Sequence, residues 1–140
     1  LKTKHIAFCQ GCLACQHTQK CVIQDDAISI AEKVKAADVL VFATPVYYYG
    51  LSGQLKTLLD RCNPLFTADY RFRNVYLLAT AAENEGNTVE GSVKGMQGWV
   101  DCFEKATLVD TIFAGGVTGA GEIKDHAALA QAFEAGKAIR

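Results

Sequence analysis

The stretch Asp38–Cys62, DVLVFATPVYYYGLSGQLKTLLDRC, changes hydrophobic period once, and that change sets the fold. Its opening, DVLVFATP, is a continuous apolar run of strand length, the pattern of a strand buried on both faces. Pro45 lacks an N–H and is read as the strand's end. From Ser52 onward the spacing turns helical, with Leu51, Leu55, Leu58, Leu59 and Cys62 on one stripe.

The same alternation extends outward. Asp25-Asp26 can cap a helix running to about Lys35, with Ile28, Ile30, Ala31 and Val34 for its buried side. VYLLATAA (75–82) reads as a second buried strand and LVDTIFAGG (108–116) as a third. A helix is predicted over 88–105, placing Val89, Val93, Met96, Val100 and Phe103 at three- and four-residue steps. Another is predicted from about Asp125 to Ile139, burying Leu129, Ala132, Phe133 and Ile139. Alternating buried strands and amphipathic helices indicate a three-layer α/β sandwich on a parallel sheet. No linker or repeat divides the chain, so residues 1–140 are read as a single domain. Chemistry in such folds gathers at the carboxyl edges of the strands, here Thr44–Gly50, Ala81–Asn87 and Gly115–Gly121. Three strands make a thin sheet, and LKTKHIAFC reads as the end of an earlier element. A preceding strand–helix–strand segment is therefore expected.

With 140 residues, 50% hydrophobic and a net charge of −1, the chain can build a real core. It has no Lys/Arg block to draw nucleic acid or an anionic membrane. The longest uncharged run, Val39–Gln54, falls short of the roughly 20 apolar residues of a membrane span. No secretion signal opens the sequence, and a cytoplasmic location is expected.

Four of the six cysteines, Cys9, Cys12, Cys15 and Cys21, follow C-x2-C-x2-C-x5-C within CQGCLACQHTQKC. Two-residue gaps let a loop wrap a small cluster, and Gly11 lets the backbone turn between the first two ligands. A structural zinc site, free or redox-active thiols, and disulfides are the other readings of this set. Cys62 and Cys102 sit in helical patterns and read as buried small hydrophobes. His17 reads as a solvated loop residue, and His5 and His126 as edge residues without a partner. In TPVYYYGLSGQLK, three consecutive tyrosines cannot all enter one core, so at least one should face solvent, a partner or a flat ligand. Trp99, among Gly91, Gly95 and Gly98, packs over the sheet or at an interface. Asp60-Arg61 reads as a helix-end pair, with Arg61 near the C-terminal dipole.

The succession CQGCLACQHTQKCVIQDD, then ADVLVFATPVYYYGLSGQLKTLLDRC, a strand and the terminal AFEAGK helix resembles the NADPH-dependent FMN reductase family, and within it the iron–sulfur flavoproteins. The resemblance implies a flavodoxin-like sandwich of strand order 2-1-3-4-5, of which these strands are the third, fourth and fifth. The loop that holds the FMN phosphate would then precede Leu1. The resemblance further implies that Thr44, Pro45, Val46, Tyr47, Tyr48, Tyr49 and Gly50 line the flavin, with Ala82, Glu83 and Asn84 approaching the same ring. It implies a [4Fe–4S] cluster on Cys9, Cys12, Cys15 and Cys21, with electrons exchanged between cluster and FMN. No side chain is assigned as nucleophile or general base, because the flavin carries the chemistry. The expected function is an FMN-dependent oxidoreductase fed by NAD(P)H or a reduced protein donor, passing electrons to a small molecule or protein, as a homodimer or higher homo-oligomer. A non-enzymatic electron carrier or cysteine-based metal-binding module is the alternative.

Overall fold

The computed structural model describes residues 1–139. Three strands form the parallel sheet: β1 (Val39–Tyr47), β3 (Asn74–Thr80) and β4 (Thr107–Ala114), with β3 in the middle. A two-residue strand, β2 (Gly50–Leu51), folds back antiparallel on the end of β1, giving the order β2-β1-β3-β4. The α/β class and parallel sheet are as the sequence indicates.

The strand does not stop at Pro45. It continues to Tyr47, with Pro45 opposite Thr80 of β3. A proline is accommodated in an edge strand where its nitrogen faces away from the ladder, and among the described residues β1 is flanked on its outer side only by the two residues of β2.

Helices α2 (Asp26–Ala36), α3 (Gly53–Arg61) and α4 (Glu90–Val100) cover one face of the sheet, and their capping follows the sequence. Asp25 accepts from the Ala27 N–H at 3.0 Å, and Ser52 Oγ accepts from the Leu55 N–H at 3.4 Å. The core beneath them joins Leu40 and Phe42 of β1, Leu55, Leu58 and Leu59 of α3, and Val75 and Leu77 of β3 to Met96, Val100 and Phe103. Trp99 packs over the sheet, its ring 5.5 Å from Phe42 and 4.7 Å from Phe103. The predicted 88–105 helix is shorter: a 3-10 turn spans Gly86–Val89, and α4 ends at Val100. Cys102 therefore leaves the helical register and is exposed, with Sγ against the Gly98 carbonyl, whereas Cys62 is buried as expected.

The opposite face carries one helix, α5 (Ala127–Ala138), capped by His126, whose Nδ1 accepts from the Ala128 N–H at 3.0 Å. Its small-residue side, Ala128, Ala132 and Ala135, meets Ile112 and Ala114 of β4. Leu129 and Phe133, expected in the core, are instead 45% and 67% exposed. Since α5 does not reach across to β1, that strand is buried on one face only: Leu40, Phe42 and Thr44 lie inside, Val41, Ala43 and Pro45 outside. Among the described residues, no helix is long and apolar enough to cross a membrane.

Candidate functional site

At the carboxyl end of β1, Tyr47 pairs with Gly50 and Val46 with Leu51, leaving Tyr48 and Tyr49 as the two central residues of a hairpin. Both have positive φ, 49° and 61°, the signature of a type I′ turn, which ordinarily takes Asn-Gly. Three features hold this unfavourable turn. Gly91 of α4 packs so closely that a Cβ there would overlap the Tyr49 carbonyl oxygen. The Tyr49 hydroxyl donates to Glu83 Oε2 at 2.8 Å, which draws the turn to the loop after β3. Thr44 Oγ1 accepts from the Ser52 N–H at 3.1 Å, fixing the start of α3 below it. All three tyrosines are exposed, Tyr48 completely. The Glu83 carboxylate pushes the Tyr49 phenol up in pKa, so it remains a donor over a wider pH range.

The second loop is held as tightly. Val117 N–H donates to the Ala81 carbonyl at 2.8 Å and Gly116 N–H to the Glu83 carbonyl at 3.2 Å. A Cβ on Gly115 would lie 2.7 Å from Asn84 Cα and 2.8 Å from the Glu83 carbonyl oxygen, so only glycine allows that approach. Val46, Tyr48, Tyr49, Ala81, Ala82, Glu83 and Thr88 line one cleft of about 190 Å³. This is less than the roughly 300–1,000 Å³ of a typical small-molecule pocket. The two tyrosines and the 82–83 backbone offer this cleft aromatic surface and peptide groups. Thr44 and Pro45 border instead a larger apolar groove on the α5 side of the sheet, with Ala43, Leu78 and Ile112.

The four cysteines gather at the other end of α3. Cys9, Cys12, Cys15 and Cys21 all line one small concavity, with Arg61, Asn63 and Pro64 behind them. Gly11 has φ 65°, the left-handed backbone its role between the first two cysteines requires. A single helical turn not foreseen in the sequence, α1 (Ala14–Thr18), presents Cys15 between left-handed Leu13 and Gln19. Gln19 Nε2 donates to the Thr67 carbonyl at 3.0 Å and Thr67 Oγ1 to the Gln16 carbonyl at 3.2 Å, tying α1 to the segment after α3. Cys15 is buried, and burial raises its thiol pKa against the opposing hydrogen bond from Asn63 Nδ2, 3.3 Å from Sγ. Cys9 and Cys12 are exposed. Among the described residues no three His, Cys, Asp or Glu side chains converge as a ligand set for a metal ion. Four thiols are the donors this concavity offers.

Arg61 is the residue the sequence misassigned. It pairs with Asp25, not Asp60: Nη1 reaches Asp25 Oδ2 at 2.6 Å and Nη2 reaches Oδ1 at 2.9 Å. Asp60 instead pairs with Lys56 at 2.7 Å. Both side chains of the Arg61–Asp25 pair are nearly inaccessible. Burial alone would raise the Asp25 carboxyl, but Arg61 and the N–H groups of Ala7 and Ala27 outweigh it and hold it below the usual carboxylate value. One signal was present in the sequence, since Arg61 lies three residues beyond Leu58 on the buried stripe of α3. Its partner, thirty-six residues away, left no local mark.

The two groups of residues do not meet. The nine residues of α3 separate them, about 13 Å at the helical rise, with the tyrosine cleft beyond its N-terminus and the cysteines at its C-terminus.

Comparison with known proteins identifies the family. An iron-sulfur flavoprotein of Methanosarcina thermophila is 31% identical over 84% of this chain and 62% of its own length. An iron-sulfur flavoprotein of Archaeoglobus fulgidus is 43% identical over 51% of this chain and 37% of its own. The chain thus spans about two thirds or less of the relatives it matches. The solved NAD(P)H:quinone oxidoreductase from Methanothermobacter marburgensis shares the fold, with a TM-score of 0.65 and 19% identity, over 87% of this chain and 67% of that one. A family profile described as NADPH-dependent FMN reductase matches residues 2–107. With that match covering most of its length and both loops of the cleft, the chain belongs to the NADPH-dependent FMN reductase family.

Proposed function

We propose that this chain is the flavin- and sulfur-bearing part of an FMN-dependent oxidoreductase supplied by NAD(P)H or by a reduced protein. The observation that carries this reading is the cleft at the sheet's carboxyl edge, where the Tyr48-Tyr49 turn and the Ala82-Glu83 loop are held together by the Tyr49–Glu83 hydrogen bond. Bound FMN would supply hydride and electron transfer. The chain's own part is to orient and shield the ring: Tyr48 and Tyr49 offer aromatic surface, Val46 and Ala82 exclude water, and Ala82 and Glu83 line the same space, with Asn84 following them on the loop. Thr44, Pro45, Tyr47 and Gly50 support that wall, and no general base is needed.

In the same reading, Cys9, Cys12, Cys15 and Cys21 hold a [4Fe–4S] group, which would store single electrons. The shared concavity and the names of the relatives support this assignment. The cleft and the cysteines belong to one domain, active as a homo-oligomer in the cytoplasm. Because the cysteine site is built independently of the cleft, a carrier without flavin turnover is the second reading. Steady NAD(P)H oxidation supports the first and its absence the second.

The test is an anaerobic absorption spectrum of the purified protein with iron, sulfide and zinc analysis. Two resolved flavin bands and a broad shoulder that bleaches on reduction are expected, with iron and sulfide near equal amounts. Zinc in place of iron, or no flavin bands, overturns it.

A further inference from the structure

A further concavity, of about 430 Å³, opens where the ends of α3 and α4 meet and takes no part in the flavin cleft. Its volume lies in the range of pockets that hold small molecules. Three aromatic rings line it: Trp99 at the end of α4, Phe103 just beyond it, 4.7 Å from Trp99, and Phe66 from the segment after α3. Phe103 is buried and Trp99 half-buried, while Phe66 is 53% exposed. Cys62, also on this lining, is buried, and burial pushes its thiol up to about 12, so that part of the wall stays neutral.

The fixed charge around this concavity has one sign. Asp60 lies on its lining, and no Lys, Arg or His among the described residues does. Asp60 stands in the last turn of α3, and Asp101 is the C-terminal cap of α4. A helix C-terminus is the negative end of the helix dipole and favours cations, so each carboxylate is unfavourably placed. The neighbouring cations are engaged elsewhere or only weakly. Arg61 is turned into its buried pair with Asp25, and Lys105 pairs with Asp69 at 3.0 Å. Lys56 reaches Asp60 at 2.7 Å, but both side chains are exposed and a surface pair of this kind contributes little.

We propose that this concavity binds a small organic cation with an apolar body, such as a quaternary ammonium compound, its charge at Asp60 and its alkyl groups against Trp99, Phe66 and Phe103. Aromatic rings attract cations through the negative charge of their faces, Trp most strongly, and quaternary ammonium groups are the ligands that use this best. A neutral ligand of the same shape gains apolar contact alone. An anion meets Asp60 and the negative ends of two helices. The proposal rests on neither the flavin nor the iron–sulfur assignment.

Trp99 is the single tryptophan of the chain, so its fluorescence reports on this place directly. The purified protein is titrated with choline, with dimethylbutanol as its uncharged carbon isostere, and with sodium chloride as a control for ionic strength. A saturable change with choline is expected, with weaker binding of the isostere and no saturation by the salt. Asp60→Asn is expected to weaken choline binding about 2- to 5-fold while leaving the isostere unchanged. Phe66→Ala is expected to weaken both, since it removes a ring from the lining. Equal affinity for choline and its isostere, or wild-type choline affinity in Asp60→Asn, overturns the proposal. Should Asp60→Asn fail to fold, Phe66→Ala decides: unchanged choline affinity overturns it. Calorimetry with choline covers the case of a silent ring, and neither heat nor a fluorescence change overturns the proposal as well. A Trp99 signal that shifts with protein concentration alone means that a second copy fills the concavity, which also overturns it.

Discussion

At the scale of single residues, the Arg61–Asp25 pair is where this fold is most vulnerable. Removing one partner of a buried ion pair leaves the other charged and unsolvated, so Asp25→Ala is expected to cost about 3–5 kcal/mol in a urea melt. The pH dependence follows from the direction of the Asp25 shift. Its pKa is lower in the folded state than in the unfolded chain, so its contribution is fully present above about pH 4. That contribution is lost as pH falls through the lowered native value, because the unfolded state then binds the proton first. Melts between pH 7 and pH 3 should show a steep loss of stability in wild type and a shallower one in Asp25→Ala. Gly91 is the second such residue. A Cβ there meets the Tyr49 carbonyl oxygen, backbone that cannot rotate away. Gly91→Ala is expected to cost about 1–3 kcal/mol by overpacking and to weaken FMN binding, read by fluorescence titration. Retention of wild-type affinity would separate the turn from the flavin.

At the scale of elements, the Tyr48-Tyr49 turn sets local preference against use. Each non-glycine residue in left-handed backbone costs roughly 1–2 kcal/mol, and here two follow one another. Replacing the pair by Asn-Gly, the residues a type I′ turn prefers, should raise the melting temperature while lowering FMN affinity, since the aromatic wall and the bond to Glu83 both disappear. If affinity is unchanged, the tyrosines do not contact the flavin. This turn also shows what local patterns reveal. Loop position and exposure of the tyrosines were legible, because three large aromatics in a row cannot share one buried face. The hairpin itself was not, for its positive φ values contradict every propensity of tyrosine and arise from contacts with Gly91 and Glu83, far along the chain. Likewise α2 and α3 were legible from their caps and stripes. The end of α4 at Val100 was not, because Phe103 stays buried beyond the helix and so extended the apparent period.

At the scale of the whole molecule, the sheet is finished on one face and open on the other. Continuous apolar runs suggested strands covered on both faces, yet Val41, Leu129 and Phe133 are exposed, and Leu129 borders an apolar groove of about 380 Å³ with Ala43, Leu78 and Ile112. The residues were read correctly as apolar; what covers them was not encoded nearby, because α5 lies over β4 and not over β1. The outer edge of β1 from Val39 to Pro45 also has no paired strand among the described residues. An apolar face beside an unpaired edge favours self-association. A chain of these 140 residues alone is therefore expected to bind a hydrophobic dye and to associate with rising concentration, as followed by sedimentation. Introducing charge on the open face by Val41→Lys should suppress both without loss of helical signal, since the Val41 side chain lies outside the core that α2, α3 and α4 build. A monomeric chain that melts cooperatively and leaves the dye dark would mean that this face is stable when uncovered, and that the core on the other side suffices to hold the fold.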